Sequence, residues 1–131
     1  MKTMKTLIML MFFFVAHSTS AQSTFEKWPA IKNFHHVISQ TFHPSEEGNL
    51  QPIKERSDEM VTKAKALSTE AIPEEFKNEK ILGSIEKLKE KSISLDKLVK
   101  EKASDADIKK SLEAVHDEFH NIVGLCSETN H

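Results

Sequence analysis

The sequence predicts an all-α protein folded as an antiparallel, up-down-up-down four-helix bundle. Apolar residues recur at steps of three and four through most of the chain, the period of one buried helix face. Strand-like alternation is missing, and the chain contains no tyrosine. The periodic segments are joined by short links, which return each helix antiparallel to the one before. Each stripe alone makes a marginal helix in water, so mutual burial has to hold the assembly together. Two long hairpins paired as a dimeric bundle satisfy the same pattern, so a homodimer is the competing arrangement.

The start of the chain is set apart. Lys2 and Lys5 precede the apolar run Leu7 to Ala16, which is followed by small and polar residues ending in Ala21. A charged head, an apolar middle and a small-residue exit describe a secretory signal peptide. Ten apolar residues are also too few for a stable membrane span. Cleavage is expected after Ala21, leaving residues 22–131 as one helical domain that is secreted or periplasmic and free of the membrane.

In the first helical segment Trp28, Ile31, Ile38 and Phe42 are spaced by helical steps, with His35 where the next apolar residue belongs. Pro44 disfavours helix in the residue before it, so this helix is expected to stop near His43. The stretch 44–49 then reads as a loop, with Asn49 as the cap of the next helix. The second segment carries Leu50, Ile53, Met60, Ala64 and Leu67, with polar Ser57 on the seam; residues 68–76, with Pro73, break the pattern. A third stripe follows in Ile81, Ile85, Leu88, Leu95 and Val99. Ser104 and Asp105 supply a cap, and the fourth stripe is Ile108, Leu112, Val115, Phe119, Ile122 and Cys126.

Composition closes several functional classes. Without Lys2 and Lys5 the 18 basic residues become 16 against 20 acidic, a net charge of −4, and nucleic-acid binding wants a basic surface. Cys126 is the sole cysteine, so no intramolecular disulfide forms. It reads as a small buried apolar residue, with a soft metal ligand or reactive thiol as the alternative. Gly48, Gly83 and Gly124 stand singly, and no glycine-rich loop is present to cradle a phosphate. No nucleophile is paired with a base, and no carboxylate dyad stands at a recognisable spacing, so the protein is not expected to be an enzyme.

The histidines carry the remaining chemistry. His116 and His120 are four apart on the edge of the fourth stripe, a spacing that puts both imidazoles on one helix face. At about 100° per residue His35 lies about 45° from the centre of the first stripe, whereas His36 and His43 point well outside it. Counting levels along an antiparallel pair brings His35 to within about 5–10 Å, along the axis, of His116 and His120. His35, His116 and His120 are therefore expected to converge on one layer, with His43 as a possible fourth ligand; His36 and His131 read as exposed polar residues. Neutral imidazole suits zinc, copper and nickel. A zinc-protease HExxH reading fails, because Asp117 follows the first histidine and Glu118 faces elsewhere.

Taken with the signal peptide and the bundle, the stretches "AVHDEFH" and "FHNIV" resemble the exported four-helix-bundle cytochromes, the periplasmic b-type cytochrome and its cytochrome c-prime relatives. The resemblance implies a haem pocket, with His35 in the place of the family's methionine ligand and His120 in that of its histidine. The CxxCH haem-attachment motif of the c-prime proteins is absent, so the implied haem is non-covalent, b-type and ligated by His35 and His120. Two readings follow: a transition-metal ion held by His35, His43, His116 and His120 for storage, sensing or delivery, or a bis-histidine haem for electron transfer. A metal-free interaction bundle is the third. Because histidine ligands must be deprotonated, the first two predict stability that falls below about pH 6.

Overall fold

A computed structural model describes residues 19–129, and all regular structure among them is helical. The elements are α1 (Thr19–Lys27), α2 (Pro29–Glu46), α3 (Gln51–Thr69), a 3₁₀ turn (Glu74–Phe76), α4 (Glu79–Lys100) and α5 (Asp105–Thr129). Residues 1–18 and 130–131, and with them most of the expected signal peptide and His131, lie outside the described residues. The expected cleavage point after Ala21 falls within α1. Among the described residues no helix is long and apolar enough to cross a membrane.

The break between α1 and α2 comes from Pro29. Its ring disfavours the helical conformation at the residue before it, and Trp28 takes φ −126° and ψ 89°. Pro29 then opens α2, where its missing N–H costs nothing. The bend turns the Trp28 indole fully into the core, where it stacks on Phe76 of the 3₁₀ turn at 5.9 Å.

The seam of the first helix needs correction. The buried face of α2 is Ala30, Ile31, Phe34, Val37, Ile38, Thr41 and Ser45; Ile31 and Ile38 belong to both seams, and apolar Ala30, Phe34 and Val37 carry the buried face away from the His35 side. Phe34 takes the inward position assigned to His35, and His35 is exposed.

The end of α2 is corrected as well. Pro44 sits inside the last turn and the helix runs to Glu46. So near the end, the missing N–H costs a single bond, and the chain closes by a Schellman turn at Gly48. Gly48 takes φ 88°, its N–H reaches Ser45 O at 3.0 Å, and Asn49 N–H reaches Pro44 O at 2.9 Å. A positive φ there suits glycine. Leu50, not Asn49, is the N-cap of α3, although Asn49 Oδ1 accepts from Gln51 N–H at 3.1 Å.

The later helices follow their stripes closely. Ile53, Ser57, Met60, Ala64 and Leu67 are the buried residues of α3. In α4 they are Ile81, Ile85, Leu88 and Leu95, joined by Ser84 and Ser92. Ser104 Oγ caps α5 by accepting from Asp107 N–H at 3.1 Å. All six residues of the fourth stripe are buried in α5, and Glu118 is buried with them.

Each of α2, α3 and α4 packs on the next helix in the chain, and α5 also touches α1, α2 and the 3₁₀ turn. One apolar core results, with Phe34, Phe76, Phe119 and Trp28 among its largest side chains. Each fully buried side chain of that kind contributes on the order of 1.5–3 kcal/mol.

Candidate functional site

The contact between α2 and α5 concentrates the chemistry of this chain. The fourth stripe buries Phe119 and leaves His116 partly covered and His120 exposed along one edge. Their Nε2 atoms face each other at 3.0 Å, with ring centroids 4.3 Å apart and planes at 74°. The expected i, i+4 pair is therefore formed.

Phenyl and imidazole rings continue on both sides of this pair. Phe42 of α2 lies flat on His116, with centroids 3.7 Å apart and planes at 10°. On the other side Phe119 meets His120 at 5.9 Å and His35 at 5.8 Å, and His35 stacks on Phe25 of α1 at 4.7 Å. The rings thus run Phe25, His35, Phe119, His120, His116, Phe42. Such pairs contribute about 0.5–1.5 kcal/mol each beyond their burial.

His43 stands next to this row rather than in it. It is exposed, its ring is 6.1 Å from that of Phe42, and its Nδ1 is 3.2 Å from Glu46 Oε1. His36 is turned away to Gln40, 3.1 Å from its Nε2. Among the described residues no group of three or more His, Cys, Asp or Glu side chains stands in a metal-holding arrangement. The fold brings together His116 and His120 and leaves His35, stacked on Phe25 and Phe119, and His43, beside Glu46, outside the pair, so the expected convergence of His35 on the same layer is not formed.

Burial holds the imidazole of His35 below its ordinary value of 6.5, helped by positive charge on His120, His36 and His43. His116 is lowered in the same way, by burial and then by His120, with Asp117 and Glu46 opposing. Both are therefore neutral at pH 7, the form in which imidazole binds metals. Unfolding would return these groups to a higher pKa, so metal-free protein also loses stability as pH falls through about 6.5. Acid sensitivity alone does not separate the three readings made from sequence.

A bis-histidine haem does not fit this arrangement. The Phe119 ring packs against both His35 and His120 and is itself buried. A porphyrin ligated by that pair has to displace a core phenyl ring. Cys126 is fully buried, and burial, with Glu75 adding to it, pushes its thiol up to about 12. It is protonated at neutral pH and behaves as a small apolar residue.

The opposite edge of α5 holds a polar cluster that the periodicity did not disclose. The Glu118 carboxylate accepts from Ser84 Oγ, from Asn121 Nδ2 at 3.1 Å and from Lys91 Nζ at 2.9 Å. Burial raises its pKa, but the hydrogen bonds from Ser84, Lys91 and Asn121 outweigh that and hold it below the ordinary value. Ser84 and Asn121 also line a cleft of about 360 Å³ with Gly83, Lys87 and Leu125, and among the described residues no histidine lines it.

The phenylalanines of the ring row were legible in one respect. Three histidines directly follow a phenylalanine, in Phe34-His35, Phe42-His43 and Phe119-His120. Which ring meets which depends on how α2 and α5 meet, and spacing along one helix does not supply that. Compared with known proteins, the chain matches no family model, no curated protein and no solved structure.

Proposed function

We propose that this protein is an exported, periplasmic four-helix bundle that binds a transition-metal ion at His116 and His120 and stores, senses or delivers it. The 3.0 Å approach of the two Nε2 atoms carries this reading. The two ring nitrogens share a hydrogen bond, and an ion that takes the place of its proton would be held by both imidazoles at once.

His43 completes the ion's shell: it is exposed, so rotation about its side-chain bonds costs little, whereas His35 stays outside, stacked on Phe25 and Phe119. A site built from surface-accessible side chains gives up its ion readily, which suits carriage better than catalysis. The protein on this reading is no enzyme.

The bundle is antiparallel. His35 lies against Phe119 while Phe42, further along α2, lies against His116, which comes earlier on α5. Ser84 near the start of α4 bonds Glu118 and Asn121 well along α5, and Ser57 of α3 bonds Asp96 late in α4 at 2.8 Å.

Dialysis of metal-free protein against zinc, copper or nickel, followed by elemental analysis, tests the proposal. About one ion per chain is expected for the wild type and none for His116→Ala/His120→Ala. Equal metal content in the two proteins would refute it.

A further inference from the structure

We propose that the outer face of α4 is a self-complementary docking surface, on which a second copy of this chain pairs antiparallel as a two-fold dimer of complete bundles. The proposal is independent of metal binding, since no histidine takes part.

Among the described residues, Leu82 and Ile93 are the large apolar side chains left exposed, at 42 % and 44 %. Single exposed apolar residues are ordinary, but these two share one helix and one stripe of it. Leu82, Glu86, Lys89 and Ile93 follow one another at steps of 4, 3 and 4. Those steps set all four within an arc of about 60° along about 16 Å of α4. Such spacing is the seam of a helix that packs on another helix. The seam that faces the core is already complete in Ile81, Ile85, Leu88, Ser92 and Leu95. α4 therefore carries a second seam, turned outward.

Charge selects the occupant. In an antiparallel pair of α4 helices, residues that face each other have a constant sum of residue numbers. With the two-fold axis between Lys87 and Leu88, Leu82 meets the second copy's Ile93 and Glu86 meets the second copy's Lys89. Glu86 and Lys89 already pair within α4 at 2.8 Å. Two copies thus close a ring of four charges of alternating sign, flanked at each end by a Leu–Ile contact. A parallel pairing instead sets Glu86 on Glu86 and Lys89 on Lys89, which repel. Read backwards, the order apolar, acidic, basic, apolar becomes its own electrostatic complement, and a second copy supplies that match without further requirement. Asp96, next along the stripe, is already held by Ser57 and Lys100, and the contact ends there.

The interface is isologous and short, below the roughly 1,200 Å² of a stable one, so association is weak. Apolar burial supplies the affinity, and the charges fix the register.

Sedimentation equilibrium at low salt, with protein raised to about 1 mM, tests the proposal, and a dissociation constant on the order of 0.1–1 mM is expected. Glu86→Lys should weaken the dimer at least about fivefold, and Glu86→Lys/Lys89→Glu should return it to within about twofold of the wild type. Leu82→Ser should weaken it as well, whereas His120→Ala should leave it unchanged. A chain that stays monomeric at about 1 mM overturns the proposal. So does a double variant no better than Glu86→Lys alone, which would show that the charges do not face each other. A monomer that binds phospholipid vesicles through Leu82 and Ile93 also overturns it, by assigning the stripe to a lipid surface. Leu82, Glu86 and His120 are exposed, so the variants keep their fold, and circular dichroism checks that.

Discussion

Glu118 offers the sharpest test of how this fold presents its histidines. It is 8 % exposed and faces α4, on the side of α5 away from His116 and His120. Replacing it by alanine removes the acceptor of Ser84 Oγ and Asn121 Nδ2, both on Oε2, and of Lys91 Nζ on Oε1. The Ser84 bond is buried and its loss to a charged partner costs about 2 kcal/mol, whereas Asn121 is exposed and its part-buried bond is worth about 1 kcal/mol. Lys91 is 40 % exposed, so its ion pair adds only about 0.5 kcal/mol.

The expected loss in Glu118→Ala is therefore about 3–4 kcal/mol at pH 7, a large share of the stability of a domain this size. Glu118→Gln keeps the shape but presents an amide N–H₂ to one of the donors, and about 2 kcal/mol is expected. The folded pKa of Glu118 is depressed. Its stabilisation is thus complete above the unfolded carboxylate value of about 4.3 and is lost as pH falls through the folded value. Urea unfolding followed by circular dichroism at pH 7 and pH 3 measures both effects. A Glu118→Ala loss below about 1 kcal/mol, or a Glu118→Gln deficit as large at pH 3 as at pH 7, would refute the reasoning.

Other expectations follow from single features. Lys102 closes α4 at φ 56° in the position glycine usually takes, so Lys102→Gly should stabilise the protein by about 0.5–1 kcal/mol, the relief of left-handed strain less the added freedom of the unfolded chain; a lower melting temperature contradicts this. Asp96, held below its ordinary value by Lys100 and Ser57 against the opposing effect of burial, should make Asp96→Asn destabilising at pH 7 and near neutral once pH falls below the folded pKa. Cys126, buried and pushed up to about 12, should react with an alkylating reagent at pH 8 only at the rate at which the protein opens; rapid labelling of folded protein would show the thiol accessible. Trp28, the single tryptophan, is fully buried with its Nε1 unbonded, so its fluorescence should be blue-shifted in the native state and move red on unfolding.

Much of the helical scaffold was written in the spacing of apolar residues. The stripe from Ile108 to Cys126 became the buried face of α5, and those of α3 and α4 followed closely, because a long helix with one apolar face has one way to bury it. The i, i+4 pairing of His116 and His120 was legible for the same reason, since both residues share a rigid helix. His35 falls outside the buried face because Ala30, Phe34 and Val37, apolar residues beside the expected seam, draw that face away from it.

Three further matters lay beyond one-dimensional pattern: the run of Pro44 into the last turn of α2, the burial of Glu118, and the meeting of Phe42 with His116. Each turns on a partner distant in sequence or on a closing turn rather than on local spacing. The sequence by itself determined an all-helical chain, its stripes and the paired imidazoles, since these follow from 3.6 residues per turn. The tertiary structure alone decided which rings face one another across α2 and α5, because packing between helices fixes relative rotation and height, which no single helix encodes.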